Sequence, residues 1–431
     1  MYSVYFSFAQ LGFTINDFKQ KALSWADTYK VVAFYEPNHI PYPYQGFENI
    51  LAVSNTTEQL IHPYHAFSGL SNALAATEQI LCGFLSYDLK NQVEKLKSQN
   101  PDYLGFPLVY FFEPEIAFYF DAEGFEVKSR QAADIPQILA AIKSTPTTTF
   151  VSETKIEIEH RTSRQQYLHT VKAIQQNILE GDVYELNYCV EFFSPEAIIN
   201  PAATFWALNQ ASPTPFAGFF KLYDKYLLCA SPERSLKKEG SKLISQPIKG
   251  TIRRSPDPKE DARLREQLRT SEKEIAENMM IMDLVRNDLA KSSAIGSVKV
   301  EEMFGIYGFQ HLYQMITTVT STIRPGCSVP EAIKNAFPMG SMTGAPKIRA
   351  MELIEQYETT RRGLFSGSLG YIKPNGDFDL NVVIRSLQYN ASSRYLSYMV
   401  GSAITYDSDP EQEYEECLLK AKAILEIFKN K

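Results

Sequence analysis

No stretch of this chain approaches the roughly 18 consecutive apolar residues that a membrane span requires, and no basic segment precedes an apolar run between Met1 and Gln10. Neither a membrane anchor nor a secretory leader is therefore expected. Cysteine is scarce: Cys82, Cys189, Cys229, Cys327 and Cys417 are odd in number, widely spaced and free of any Cys-x-x-Cys pair. That argues against a disulfide framework or a structural zinc and fits a reducing cytoplasm. Six histidines are equally scattered, and Pro63 between the closest two, His62 and His65, spoils a helical metal face, so a surface loop is expected there. Positive charge is also lacking. Forty-three Lys and Arg against 50 Asp and Glu leave a net charge of −7, which disfavours nucleic acid as the main partner. An anionic small molecule remains compatible if cations are gathered locally.

What the chain does have is aromatic weight: 25 Tyr and 27 Phe within a 44% hydrophobic composition, as in a folded globular protein. A length of 431 residues allows about three average domains or one large unit. The hydroxyl-rich patch Ser144–Thr149, interrupted by Pro146, is the best linker candidate, dividing an N-terminal region (1–150) that contributes to a sheet core from a catalytic region (151–431). Beyond it, Thr162 and Ser163 read as a cap for a helix with Tyr167, Val171, Ile174 and Ile178 on one face, ending at Gly181. Gly218–Leu222 and Tyr226–Ala230 read as a hairpin. From Ser366 to Thr405 a strand meander is expected, with one strand at Gly370–Ile372, one at Leu380–Leu387 and one at Tyr395–Val400, its first turn carrying Asn375-Gly376. Helices are expected at about 271–291, 330–336, 346–357 and 411–429. Antiparallel strands interrupted by amphipathic helices predict an α+β architecture.

Several residues stand out chemically. Lys249 lies between Pro247 and Gly250-Thr251, either a solvated strand-end charge or a nucleophile turned toward a substrate. Glu274 and Glu277 share a face of the helix capped by Ser271, and the spacing recurs at Glu413 and Glu416, bordering a buried stripe. Four carboxylates from two helices can converge on a hard cation such as Mg2+, or they are ordinary acidic helix starts, with Glu416 paired to Lys420. Gly340–Lys347 looks like a phosphate loop, yet Ile348 stands where Ser or Thr would bind magnesium. It reads instead as a Gly-rich turn whose amides and Thr343 hydroxyl either hold an oxygen ligand or simply start a helix. Glu233, at a strand end, is either a cleft carboxyl or half of a surface ion pair with Arg234. Arg385, within the apolar run Val382–Ile384, needs a buried anion, structural or from a substrate.

The order of Ser231–Arg234, Pro247–Thr251, Ala276–Asp288, Gly340–Lys347 and Glu413–Glu416 resembles the chorismate-utilising enzymes, and within them the aminodeoxychorismate synthase component I branch. The likeness runs from about Thr162 to the C-terminus and more loosely through Pro43–Phe47 and Gly83–Asp88. It implies large antiparallel sheets packed as a sandwich and wrapped by helices, with the active site in the cleft between them. It also implies Mg2+-dependent exchange of the chorismate 4-hydroxyl for ammonia, giving 4-amino-4-deoxychorismate for p-aminobenzoate and folate synthesis. By motif position Glu277 and Glu416 would ligate the metal directly, with Glu274 and Glu413 acting through water. Gly250, Thr251, Thr343, Arg385, Lys420 and the backbone at Gly401, Ser402 and Ala403 would hold substrate. Glu233 would be the general acid or base, and Lys249 the covalent nucleophile that ammonia later displaces. At a reference pKa of about 10.4 a lysine is almost wholly protonated at neutral pH, so burial and nearby cations are expected to depress Lys249.

The sequence departs from the family in places. Gln314 stands where a histidine is common, keeping hydrogen bonding but not proton transfer. Ala403 replaces a glycine, which limits close backbone approach. Pro37 falls where some relatives hold tryptophan through a serine, so tight tryptophan binding is not expected. The competing readings are an anthranilate synthase large subunit, which typically carries alanine at the Lys249 position, the more distant water-using isochorismate and salicylate synthases, and a non-catalytic chorismate binder. Glu233, Lys249, Glu277 and Glu416 together argue against the last. No Gly-x-Cys-x-Gly elbow is present, so ammonia is expected from a separate glutamine amidotransferase subunit or from solution.

Overall fold

The computed structural model describes residues 1–56, 60–147 and 156–428. Its frame is two large sheets, every strand pair antiparallel. The first runs from Tyr2–Ser7 through Gly124–Ser129, Ile116–Phe120, Ile50–Ser54, Val31–Glu36, Phe216–Leu222, Lys225–Ser231, Ser386–Asn390, Tyr395–Ile404 and Glu185–Ser194 to Gly344–Ala345. The second runs from Ile248–Arg253 through Leu312–Thr322, Lys242–Gln246, Arg234–Glu239, Phe378–Asn381, Ser368–Ile372 and Leu81–Leu85 to Val109–Phe112.

Side-chain alternation along the strands explains how these layers stack. In Val31–Glu36, Val31, Ala33 and Tyr35 pack with Phe84, Leu369 and Tyr371 of the second sheet, while Val32 and Phe34 join a cluster with Phe18, Trp25 and Phe205 from helices. Both faces of that strand are therefore buried. The outer face of the second sheet is covered likewise, Leu236, Leu243 and Val319 packing on Ile281, Val285 and Leu289 of the Glu272–Ala290 helix. The result is a helix–sheet–sheet–helix sandwich, the expected fold class. Gly218 marks how closely the sheets approach, since a Cβ there would lie 2.6 Å from Leu369 Cδ2.

The Ser163 helix forms as expected, at Arg164–Leu179 with a full capping box, and so does the hairpin of Phe216–Leu222 with Lys225–Ser231. The meander does not stay in one sheet. Ser368–Ile372 and Phe378–Asn381 pair in the second sheet, Ser386–Asn390 and Tyr395–Ile404 in the first. The strand expected at Leu380–Leu387 is broken after Asn381 because the chain crosses between sheets there. Val382 N–H donates to the Glu233 carbonyl at 3.0 Å, Val383 N–H to Gly367 at 2.9 Å, and Arg385 turns at φ 52°. A capped helix at Pro258–Arg269 had no counterpart among the expected elements. Of the linker candidate, Ser144 closes the Asp134–Ser144 helix, and Thr148 and Thr149 lie outside the described residues.

Glu233 and Arg234 are not the surface pair that adjacency suggests. Successive side chains point to opposite faces of a strand, and Arg234, fully buried, forks onto Asp379 at 2.8 and 2.9 Å while also donating to the Gln45 carbonyl at 2.5 Å. Glu233 is thereby left to face the cleft. Removing one partner of a buried ion pair strands the other charge, at a cost of about 3–5 kcal/mol. Asp379→Ala should accordingly lose stability of that order in urea-unfolding titrations.

Candidate active site

Between the sheet ends lies a cavity of about 560 Å3. Of the residues singled out from the sequence, Glu233, Lys249, Gly250, Thr251, Glu274, Glu277, Gln314, Arg385, Gly401, Ser402, Ala403, Glu413, Glu416 and Lys420 all line it. Thr343 does not. Its hydroxyl is fully buried and engages the Met339 and Gly340 carbonyls at 3.2 Å, the same two acceptors that the Met342 and Thr343 amides bond at 3.1 Å as the 3-10 turn Gly340–Met342 closes. Ser341 and Met342 of the same turn face the cavity instead. Lys347, the other notable residue of that segment, pairs with Asp288 and donates to the Pro338 carbonyl at 2.9 Å, so it anchors the turn.

Lys249 owes its placement to a bulge. The register of Ile248–Arg253 against Leu312–Thr322 shifts between Ile248 and Thr251, which kinks the strand and re-aims the side chain. Gly250 adopts φ 94°, and a Cβ there would lie 3.0 Å from Glu274 Oε2 and 3.2 Å from Glu274 Cβ, so glycine permits both the turn and the approach of the acidic helix. Asn278 ties that helix to the bulge, donating to the Lys249 carbonyl at 3.2 Å and accepting from Thr317 at 2.6 Å.

The electrostatics correct one expectation. Burial alone would lower the Lys249 amine, but the cations expected around it are not its closest company. Glu185, Glu277 and Glu233 outweigh burial and hold the ammonium above its ordinary range. Glu185, buried at 1% exposure, accepts from Lys249 Nζ at 2.6 Å. The sequence reading missed Glu185. It lies in the apolar strand Glu185–Ser194, and a buried carboxylate there was the available signal.

Burial pushes Glu233 up to about 7, against the opposing pull of the Ser341 hydroxyl at 2.7 Å, the Ile248 amide and Lys249. That value suits a group that gives a proton near neutral pH. Gln314 is also buried, with Oε1 lacking any hydrogen-bond partner among the described residues. Arg385 is half-buried and forms no ion pair among the described residues, so its guanidinium is available to an anion in the cavity. Lys420 donates to the Gly401 carbonyl at 2.8 Å and pairs with Glu416 at 2.7 Å. A Cβ at Gly401 would lie 2.4 Å from Cys189 Sγ, so a glycine is required where this backbone borders the cavity.

The two carboxylate pairs face one space from helices Glu272–Ala290 and Pro410–Leu425. Burial pushes Glu277 up to about 7, with Lys249 opposing and Glu185 and Glu274 adding to it; Glu274 is raised by burial, with Glu416 contributing. Among the described residues no three acidic, histidine or cysteine side chains enclose a metal by themselves. Magnesium does not demand that: it keeps waters and takes one or two carboxylates with substrate oxygens, a donor set these oxygens fit.

The chain belongs to the chorismate binding enzyme family, whose model matches residues 20–426. It is a chorismate-utilising enzyme. It is 34% identical to anthranilate synthase component 1 of Thermus thermophilus over 355 residues, 80% of this chain and 76% of that protein. It is 32% identical to aminodeoxychorismate synthase component 1 of Bacillus subtilis over 358 residues, 79% and 75% of the two chains. The menaquinone-specific isochorismate synthase of Escherichia coli shares the fold, with a TM-score of 0.78 at 16% identity over 99% of this chain and 94% of that one. Among the described residues no helix is long and apolar enough to cross a membrane.

Gly250→Ala introduces strain at a positive φ and pushes on Glu274. It should lower turnover by about tenfold or more by misplacing Lys249, measured as kcat at saturating chorismate, while circular dichroism remains that of the folded protein.

Proposed function

We propose that the protein is an aminodeoxychorismate synthase component I: it replaces the chorismate 4-hydroxyl with ammonia to give 4-amino-4-deoxychorismate. The observation that carries this reading is the Lys249 amine on the cavity wall, in one chamber with Glu233, Arg385, Lys420 and both acidic helix pairs. An amine there is a nucleophile for the ring, whereas the competing reading, an anthranilate synthase large subunit, typically carries alanine at this position.

Arg385 and Lys420 offset the negative charge of the dicarboxylate substrate within an acidic protein. Glu233 holds a proton at the departing hydroxyl, which leaves as water. Lys249 adds to the ring as that hydroxyl leaves, and ammonia then displaces the lysine. Glu277 and Glu416 would hold Mg2+, with Glu274 and Glu413 behind them; when bound, the ion supplies charge stabilisation. Ammonia is supplied by a separate glutamine amidotransferase subunit, the relation that the name component 1 of the B. subtilis relative suggests, and the setting is the cytoplasm.

Pure chain incubated with chorismate, magnesium chloride and ammonium should give 4-amino-4-deoxychorismate by mass and spectrum, and the product should vanish with EDTA. Trapped enzyme should carry a substrate adduct on Lys249 that Lys249→Ala lacks. Anthranilate or isochorismate as sole product would sink the assignment.

Glu233 gives a prediction with a definite sign. Its carboxyl rises from 4.5 to about 7 on folding, so the folded protein holds this proton more tightly than the unfolded chain. Its contribution to stability is present below the unfolded value and is lost as pH rises through the folded one. At about 1.4 kcal/mol per pKa unit, ionised Glu233 costs roughly 3–4 kcal/mol above neutral pH. Glu233→Gln should therefore melt higher than wild type at pH 8 and no higher at pH 4–5, while turnover falls by about 10²–10⁴.

A further inference from the structure

Four buried ion pairs invite comparison. Asp379 has both oxygens engaged by Arg234, and Glu358 accepts from Arg362 through both oxygens and from the Cys189 amide at 3.0 Å. Glu36 accepts from Lys19 on one oxygen and from the Asn38 amide on the other. Each of these is complete, as a purely structural pair should be. Glu185 is the exception. Oε1 accepts from Lys249 at 2.6 Å, but Oε2 is buried with no hydrogen-bond partner among the described residues. Leaving a buried acceptor unused costs about 1–3 kcal/mol or more when it is charged. A protonated carboxyl is less costly to bury, so this half-satisfied site is suited to a group that is neutral for part of a cycle.

Position supports that. Glu185 does not line the cavity; it stands behind Lys249, which does. Three carboxylates face the Lys249 amine: Glu185 from its strand, Glu277 from the Glu272–Ala290 helix, and Glu233 from the turn before Arg234–Glu239. Glu274 from the same helix as Glu277 and Glu416 from the Pro410–Leu425 helix interact with the amine as well. Glu233 is bonded to Ser341 and serves the leaving hydroxyl, and Glu277 belongs to the acidic pairs, so Glu185 alone is hydrogen-bonded to the amine.

We infer that Glu185 is the proton acceptor that activates Lys249, a role that rests on the nucleophilic reading of Lys249 above. One N–H bond of the ammonium breaks, an O–H bond forms on Glu185, and the electron pair left on Nζ attacks the ring after rotation about Cε–Nζ. The buried pair passes from two opposite charges to two neutral groups. Release of the proton to solvent would instead leave Glu185 ionised and alone, a far costlier state. When ammonia displaces the lysine, Nζ leaves as the neutral amine and recovers the proton from Glu185. The amine product returns one proton to Glu233, so the turnover consumes chorismate and ammonia and releases water.

The test is ammonium-dependent turnover of the full chain across pH 6–10, with intact-mass trapping of Lys249. Glu185→Gln should lower kcat about 100-fold at pH 7 with KM for chorismate within about threefold, and lose most of the adduct. Its rate should then climb about tenfold per pH unit as hydroxide takes over the role. A merely structural pair would alter folding and KM without producing that slope. Glu185→Asp, with its carboxylate withdrawn from the amine, should lose about tenfold and keep the wild-type pH profile. Turnover of Glu185→Gln at or above wild type at pH 7 overturns the proposal, and if that variant does not fold, an unchanged kcat in Glu185→Asp does so. Failure of the underlying reading looks different: Lys249→Ala would still make the 4-amino product.

Discussion

The constraint on which the site depends is the bulge at Lys249 and Gly250. A regular strand there would place Lys249 in alternation with its neighbours, on a face set by the sheet rather than by the cavity. The register shift against Leu312–Thr322 frees one residue from the ladder, and the positive φ of Gly250 turns the chain while letting the Glu274 helix lie close. Asn278 then locks helix to bulge through the Lys249 carbonyl. One local irregularity thus brings together a lysine from a strand and carboxylates from a helix, groups that no single regular element could present to the same space.

The second organising feature is where the charge sits. An acidic chain that accepts an acidic substrate must separate its carboxylates by task. Arg234 and Arg362 absorb Asp379 and Glu358 inside the packed layers, and Lys347 absorbs Asp288 at the foot of the Gly-rich turn. Arg385 is left without such a partner among the described residues and faces the cavity, as does Glu233, whose neighbour Arg234 is committed elsewhere. The packing ion pairs therefore decide which charges stay available for chemistry.

How much of this was legible in the sequence follows from the range of each interaction. Helices with local caps, such as Ser163 with Gln166 and Ser271 with Glu274, were readable because the signal and the structure lie within one turn. The acidic pairs were readable as spacing and Lys249 as a motif. The crossing at Val382–Arg385 was not, since an apolar run reads the same whether it stays in one sheet or passes between two, and its hydrogen bonds go to Glu233 and Gly367, far away in sequence. Thr343 looked like the ligand of its turn, but the turn's own carbonyls claim its hydroxyl, and the equally short Ser341 faces Glu233. Glu185 was hidden for the opposite reason: within Glu185–Ser194 nothing marks one carboxylate as the partner of a lysine 64 residues on.

The environment of Lys249 also changes what its activation requires. Depression by neighbouring cations would let solvent take the proton, and no particular acceptor would be needed. The carboxylates around Lys249 favour the ammonium instead, so under the proposed nucleophilic role the amine is released by an internal transfer rather than by a standing fraction of neutral lysine. Arrival of a dicarboxylate would only strengthen that preference. If Lys249 is the nucleophile we propose, a cavity that gathers anionic groups around it needs an acceptor already in contact with it, and the Glu185 contact holds the amine fixed and charged. Gln314 lies in the neighbouring strand with no proton to exchange, and in the proposed mechanism that task accordingly falls to a carboxylate behind the lysine rather than to a base beside it.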